Sequence, residues 1–250
     1  MTKPGEPLPK AVPNRSGPTG CAAAASCAAC DVRSLTFCAG LAPQEIGRIS
    51  AIVTRQRIPA HQMLFYEGDP AEHAYNVTRG AVKLYKLLPD GRRQITGFLL
   101  AGDFLGLAGR DGYSYSAETI TDVELCRFSR RKLDELFNQF PQLERRMLKL
   151  ATDELIAAQD QMLLLGRRTA AEKVASFLLR LCERERVRGQ PGNPVLLPMT
   201  RGDIADYLGL TIETVSRTLS QFKRDNLVRQ LSLNELELVD EERLQAFVEG

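Results

Sequence analysis

Residues 200–224, TRGDIADYLGLTIETVSRTLSQFKR, decide how the rest of this chain is read. Thr200 is a hydroxyl residue placed to satisfy the free N–H groups of a helix ending near Leu208. Thr211 stands in the same relation to a second helix running to about Arg224. Between them Gly209 supplies a sharp turn that a residue with a side chain resists. Ile204, Ala205, Leu208, Leu210, Val215 and Leu219 are apolar where the two helices would meet, which is helix-turn-helix patterning. On the second helix Glu213 and Arg217 lie one turn apart on one face, with Ser216 beside them. An arginine can hold guanine O6 and N7 together, a glutamate can accept from cytosine N4, and a serine can serve either partner. A surface ion pair at i,i+4 uses the same spacing, so the pair by itself leaves both readings open. From Thr211 to Gln230 four basic residues, Arg217, Lys223, Arg224 and Arg229, stand against Glu213 and Asp225, a local excess that suits phosphates.

Downstream, Leu227 to Arg229 and Leu236 to Val239 read as the two strands of a wing, and Asp240 caps a last short helix. Upstream, a turn from Gly189 to Pro194 and a short strand at Val195 to Leu197 follow a helix that ends near Arg188. Thr169 and Glu172 open that helix with a capping box. Before it, a helix from about Gln142 to Gly166 carries Leu148, Ala151, Leu155, Ala158, Met162 and Leu165 at alternating spacings of three and four. That is the seam of a coiled coil. A helix packed on its own domain would show it too, but the arginines and acids flanking the seam favour a parallel homodimer. Ser129 caps a shorter helix that ends before Pro141. From about Leu41 to Arg127, short β-branched runs alternate with turn signals: Glu67-Gly68-Asp69-Pro70, Arg79-Gly80, Pro89-Asp90-Gly91, Ala101-Gly102-Asp103 and Asp111-Gly112. This predicts a compact antiparallel β-barrel or roll. The first twenty residues hold five prolines and three glycines, a composition that cannot repay ordering. The expected fold is therefore α+β, in five parts: a disordered arm at 1–20, a cysteine-rich loop at 21–40, an antiparallel β-roll at 41–140, a long dimerisation helix at 141–166 and a winged helix-turn-helix at 167–250.

At 250 residues with 44% hydrophobic content the chain can bury a real core, and its net charge of +2 is too small to announce a nucleic-acid partner unaided. It has no stretch approaching the roughly 18 apolar residues of a membrane span. Nor do the Pro/Gly-rich first twenty residues contain the apolar core of a signal peptide, so a cytoplasmic protein with no membrane partner is expected. Of six cysteines, four fall between Cys21 and Cys38. In a reducing compartment such thiols serve as metal ligands or redox groups more often than as disulfides. His61 and His73 are the only histidines and neither stands in a catalytic motif, so no enzyme is expected.

The run from Asp203 to Arg217, DIADYLGLTIETVSR, resembles the winged-helix signature of the CRP/FNR transcription regulators. The resemblance extends over nearly the whole chain, through Gly68-Asp69-Pro70, Gly80, Gly102-Asp103 and the QDQMLLL run at 159–165. Glu213, Ser216 and Arg217 match the Glu-x-x-Ser-Arg pattern of the FNR branch, which reads palindromes of TTGAT-type half-sites. The resemblance implies double-stranded DNA and RNA polymerase as partners, and a homodimer as the working unit. It argues against a cyclic nucleotide. Where cyclic-AMP-binding members carry Gly-Glu and Arg-Ala, this chain has Gly106-Leu107 and Ser116-Ala117, so a phosphate would be buried without its counter-charge.

Cys27-Ala-Ala-Cys30, followed after seven residues by Cys38, resembles the C-x2-C-x7-C variant of the FNR sensor loop, and Cys126 stands where that branch keeps its fourth ligand. Four thiolates complete the coordination of a 4Fe-4S cluster. A zinc or thiol-disulfide site would use the same residues and is the rival reading. Cys21 lies outside the motif, and Cys182, among Phe177, Leu178 and Leu181, reads as core. The resemblance further implies that the cluster pins the loop beside the dimer helix and favours the DNA-binding dimer at low oxygen.

Overall fold

The computed structural model describes residues 27–106 and 112–249. Between Val53 and Ser129, turn residues cut the chain into eight strands: β1 (Val53–Ile58), β2 (Met63–Phe65), β3 (His73–Arg79), β4 (Val82–Leu87), β5 (Arg93–Leu99), β6 (Phe104–Leu105), β7 (Ser116–Thr119) and β8 (Val123–Ser129). They form two antiparallel sheets, ordered β1-β8-β3-β6 and β2-β7-β4-β5. The turn between β3 and β4 shows why glycine is required: Gly80 has φ +85°, and a Cβ there would meet the Asp122 carbonyl oxygen at 2.2 Å. Phe65, Tyr75, Val77, Leu84, Leu99 and Leu125 pack between the sheets, with Phe65 stacked on Tyr113 at 3.5 Å between centroids.

The strands begin later than the sequence pattern suggests. Residues 41–52, expected to open the β-roll, are helical turns: Pro43–Glu45 is a 3-10 turn whose Glu45 carboxylate accepts from Ala42 N at 2.7 Å, and it runs into α1 (Ile46–Ser50). A proline at a helix start and an acid three residues after the cap are helix signals, and here they outweigh the apolar alternation. These turns cover the outer face of the β1-β8-β3-β6 sheet. Phe37, Leu41, Ile49, Ala74, Cys126 and Phe128 form a second core there, so that sheet is buried on both faces.

After β8 come α2 (Arg130–Gln139) and α3 (Pro141–Arg167). Ser129 holds the N-cap position of α2 with extended backbone, but its hydroxyl makes no capping bond. The 27 residues of α3 span about 40 Å, and the helix carries two apolar seams rather than one. Leu143 and Leu164 are buried, and Met147, Leu150 and Ala157 half-buried, against the helix's own chain. One residue further on, Leu148, Leu155, Ala158 and Met162 are exposed, Leu155 at 58% and Met162 at 69%. Ala151 is half-buried on that outer seam. Leu165 is half-buried against the C-terminal core, beside the Gly209 turn.

The C-terminal unit follows as α4 (Ala170–Val187), β9 (Val195–Leu196), α5 (Arg201–Leu208), α6 (Ile212–Arg224), β10 (Val228–Gln230), β11 (Glu235–Leu238) and α7 (Glu241–Glu249), with the strands ordered β10-β11-β9. It docks on the outer face of the β2-β7-β4-β5 sheet. Phe98 meets Phe177 and Tyr207 there, and buried Lys83 reaches both Glu118 (3.1 Å) and Asp203 (3.2 Å). Arg93 adds pairs to Asp203 (3.1 Å) and Asp206 (2.9 Å). Among the described residues no helix is long and apolar enough to cross a membrane.

Candidate nucleic-acid interface and cysteine pocket

Helices α5 and α6 are set by reciprocal caps and a glycine. Thr200 Oγ1 accepts from Asp203 N at 3.0 Å while the Asp203 carboxylate accepts from Thr200 N at 3.0 Å. Gly209 takes φ +62°, and Thr211 Oγ1 accepts from Thr214 N at 3.3 Å. Val215, Leu219 and Phe222 bury one face of α6, which turns Glu213, Ser216, Arg217, Ser220, Gln221 and Arg224 outward. Arg217 leans on Thr214 Oγ1 at 3.4 Å. Glu213's carboxyl is held below its usual range by its own backbone N–H and the Thr211 hydroxyl, with Arg217 a lesser cause. It is therefore an ionised acceptor near neutral pH. The arrangement presents acceptor, hydroxyl and guanidinium side by side on a convex helix backed by a rigid core, the form that enters a DNA major groove.

The second site lies on the outer face of the β1-β8-β3-β6 sheet. Cys27 and Cys30 stand in the first described turn, Cys38 in the 3-10 turn Phe37–Gly40, and Cys126 in β8; all four line one pocket between those turns and the β1-β8-β3-β6 sheet. Cys21 falls outside the described residues, as does the 1–20 arm. Burial pushes the Cys38 thiol up to about 12. The Thr36 hydroxyl opposes that rise, and Cys126, Cys27 and Cys30 add to it. Burial also pushes Cys126 up to about 12, against the pull of Arg55. Thiols this reluctant to ionise become thiolates when a cation is there to receive them. Among the described residues no three Cys, His, Asp or Glu side chains converge on a single point that one metal ion could occupy. Four thiols lining one pocket are the donor set of a four-iron cluster, and a structural zinc uses the same soft ligands.

The pocket is coupled to α3 by contact. Phe37, next to Cys38, is fully buried and meets Phe104, Phe128 and Phe137 edge-on. The helix start comes so near the same turn that a Cβ on Gly40 would lie 3.1 Å from the Gln142 carbonyl oxygen. Arg146, one turn along α3, donates to the Ser34 carbonyl at 3.4 Å.

Sequence reading missed the inner seam of α3 and Asn76, which also lines the cysteine pocket. The signal for Asn76 was an amide between the apolar residues Ala74-Tyr75 and Val77. Ser116, which stands where cyclic-AMP-binding members of the resembled family carry an arginine, is buried and its hydroxyl accepts from Glu67 N at 3.0 Å; Leu107 lies outside the described residues. Cys182 is fully buried in the C-terminal core.

The cyclic nucleotide-binding domain model matches residues 55–140, and the Crp-like helix-turn-helix domain model matches 172–247. Transcriptional activatory protein AadR of Rhodopseudomonas palustris is 48% identical over 200 residues, covering 80% of this chain and 83% of that protein. Nitrogen fixation regulation protein FixK of Bradyrhizobium diazoefficiens is 42% identical over 220 residues, covering 88% and 92%. Transcriptional activator protein FnrL of Cereibacter sphaeroides is 38% identical over 206 residues, covering 81% and 83%. Among solved structures, FixK2 from Bradyrhizobium japonicum superposes with a TM-score of 0.74 at 39% identity, over 78% of this chain and 97% of that one.

Proposed function

The chain belongs to the CRP/FNR family of DNA-binding transcription regulators, and from that premise we propose that it is an oxygen-responsive activator whose four-cysteine pocket holds a 4Fe-4S cluster. The observation that carries the proposal is that Cys126 on β8 lines one pocket with Cys27, Cys30 and Cys38 of the N-terminal segment, whose turn at Gly40 abuts the start of α3. Activation, through contact with RNA polymerase, is carried over from the family resemblance and from the relatives named as activators.

When bound, the cluster supplies an oxygen-labile link between the 27–38 segment and the β-roll. Cys27, Cys30 and Cys38 would then hold that segment down on Cys126, and Phe37 and Gly40 would keep the first turn of α3 in register with it. The outer seam of α3, exposed Leu148, Leu155, Ala158 and Met162 with half-buried Ala151, is the surface on which a second copy would lie, while Leu165 would join that seam to the Gly209 turn of the reading unit. Dimerisation sets two α6 helices one helical turn of DNA apart, as a palindrome requires. Arg217 would hold the guanine of a TTGAT-type half-site, with Glu213 and Ser216 at neighbouring bases. A cyclic nucleotide has no place in this reading, because Ser116 stands where its phosphate would need a cation.

The test is anaerobic purification with visible absorption and a count of iron and inorganic sulfide, followed by binding to a TTGAT palindrome before and after exposure to air. About four of each per chain and air-sensitive DNA binding are expected. Zinc without sulfide, or equal binding in air, would overturn the proposal.

A further inference from the structure

Resting on the reading of the cysteine pocket as a cluster site, we infer that Asn76 is a positioning residue for Cys38, its carboxamide N–H donating to the Cys38 sulfur and holding that thiolate toward the metal. Asn76 stands in the middle of β3, across from Cys126 on β8 and from Phe104 on β6. Alternation along β3 sends Tyr75 and Val77 between the two sheets and sends Asn76 to the outer face, beneath the cysteine segment. It is 2% exposed there. Its Nδ2 lies 3.7 Å from Cys38 Sγ, and its Oδ1 is buried with no hydrogen-bond partner among the described residues.

A half-satisfied amide in an apolar wall costs the fold free energy, and a β-branched residue would serve the strand better. The sulfur is what gives the amide a use. Thr36 gives its single hydroxyl proton to the Arg33 carbonyl, 3.1 Å away, and accepts from Cys38 N, whereas Asn76 turns its N–H to the sulfur. Flipping the carboxamide would set its oxygen against Sγ, two acceptors face to face once the thiol is ionised. A hydrogen bond to a metal-bound thiolate spreads the charge on sulfur, fixes the ligand's direction and slows its departure. Cys38 gains most from this, because its turn abuts α3.

The experiment compares the full chain with Asn76→Leu, which removes the donor and keeps the branched shape, and Asn76→Asp, which replaces it with an acceptor. In the iron-free protein the urea midpoint of Asn76→Leu should equal or exceed the parent's, because an unsatisfied polar group has been removed. After anaerobic reconstitution with iron and sulfide, extraction by a chelator under argon should run about tenfold faster in Asn76→Leu than in the parent, and faster still in Asn76→Asp. The visible sulfur-to-iron absorption of Asn76→Leu should also shift. A variant that lost urea stability yet held its cluster like the parent would make Asn76 merely structural and overturn the inference. Equal extraction rates in all three proteins would do the same while leaving the cluster reading intact. A parent that takes up iron without sulfide removes the cluster reading, and this inference falls with it.

Discussion

Each sheet of the β-roll draws polar groups into its outer face, and the two sets are finished to different degrees. On the β2-β7-β4-β5 sheet the Asp203 carboxylate has Lys83, Arg93 and both the N–H and hydroxyl of Thr200 as partners. On the β1-β8-β3-β6 sheet the Asn76 oxygen has no partner among the described residues, and two thiols are held un-ionised by burial. The first set is complete within one chain, as a structural site should be. In the reading proposed above the second is completed by a cluster, the outer seam of α3 by a second copy and the reading face of α6 by DNA. Substitutions in complete sites should therefore lower stability, and those in incomplete sites should lower binding while sparing the fold.

The largest expected effect tests the incomplete site directly. Serine at any of Cys27, Cys30, Cys38 or Cys126 should abolish anaerobic retention of iron and sulfide, whereas Cys182→Ser, a change within the C-terminal core, should retain both. Should Cys126→Ser keep its cluster, the proposed link between the pocket and β8 is broken.

Next in size is Asp203→Ala, which leaves buried Lys83 with Glu118 alone and Arg93 with Asp206 alone, and removes a helix cap. A loss of about 3–5 kcal/mol in urea unfolding is expected, and a loss below about 1 kcal/mol would show that the contact between the two units is not the complete site described here. The same carboxylate gives a sign for acid. Burial raises its pKa, but the Thr200 hydroxyl and backbone N–H, with Lys83, outweigh this and hold it below 3.8. Its contribution is thus fully present above that value and is lost as the pH falls through the lower folded one. Asp203→Asn should unfold with a shallower dependence on pH below about 4.

The two seams of α3 repeat the comparison within one helix. Leu164→Ala should cost about 2–5 kcal/mol of stability. Leu155→Ala should leave monomer stability within about 0.5 kcal/mol while weakening self-association in sedimentation. Equal losses of stability would mean that both seams serve the single chain. Arg217→Ala should lose about 1–3 kcal/mol of binding per half-site and discriminate less well at the guanine, at unchanged stability. Weakening by the same factor on all sequences would make Arg217 a phosphate contact.

What the sequence made legible was local. The capping pairs at Thr169, Thr200 and Thr211, the Gly209 turn and the apolar spacing of α6 each lie within a few residues of what they specify, and the helices form there. The order of the strands is not local: β1 pairs with β8 some seventy residues later, and Lys83 meets Asp203 across 120 positions. Nothing near Asn76 reveals that β3 is covered on both faces, because the cover comes from residues 27–50. The inner seam of α3 was hidden by the outer one, since both use the same spacing one residue apart.

That offset has a consequence for which substitutions the helix can absorb. Met147 and Leu148, Leu150 and Ala151, Ala157 and Ala158, Leu164 and Leu165 are sequence neighbours, about 100° apart around the axis, one facing the chain and the next facing away or toward the C-terminal unit. A saturating scan of residues 141–167 should therefore show intolerance in adjacent pairs recurring every three or four residues. Within each pair the two members should fail differently, the first in abundance of the folded protein and the second in transcription from a half-site palindrome.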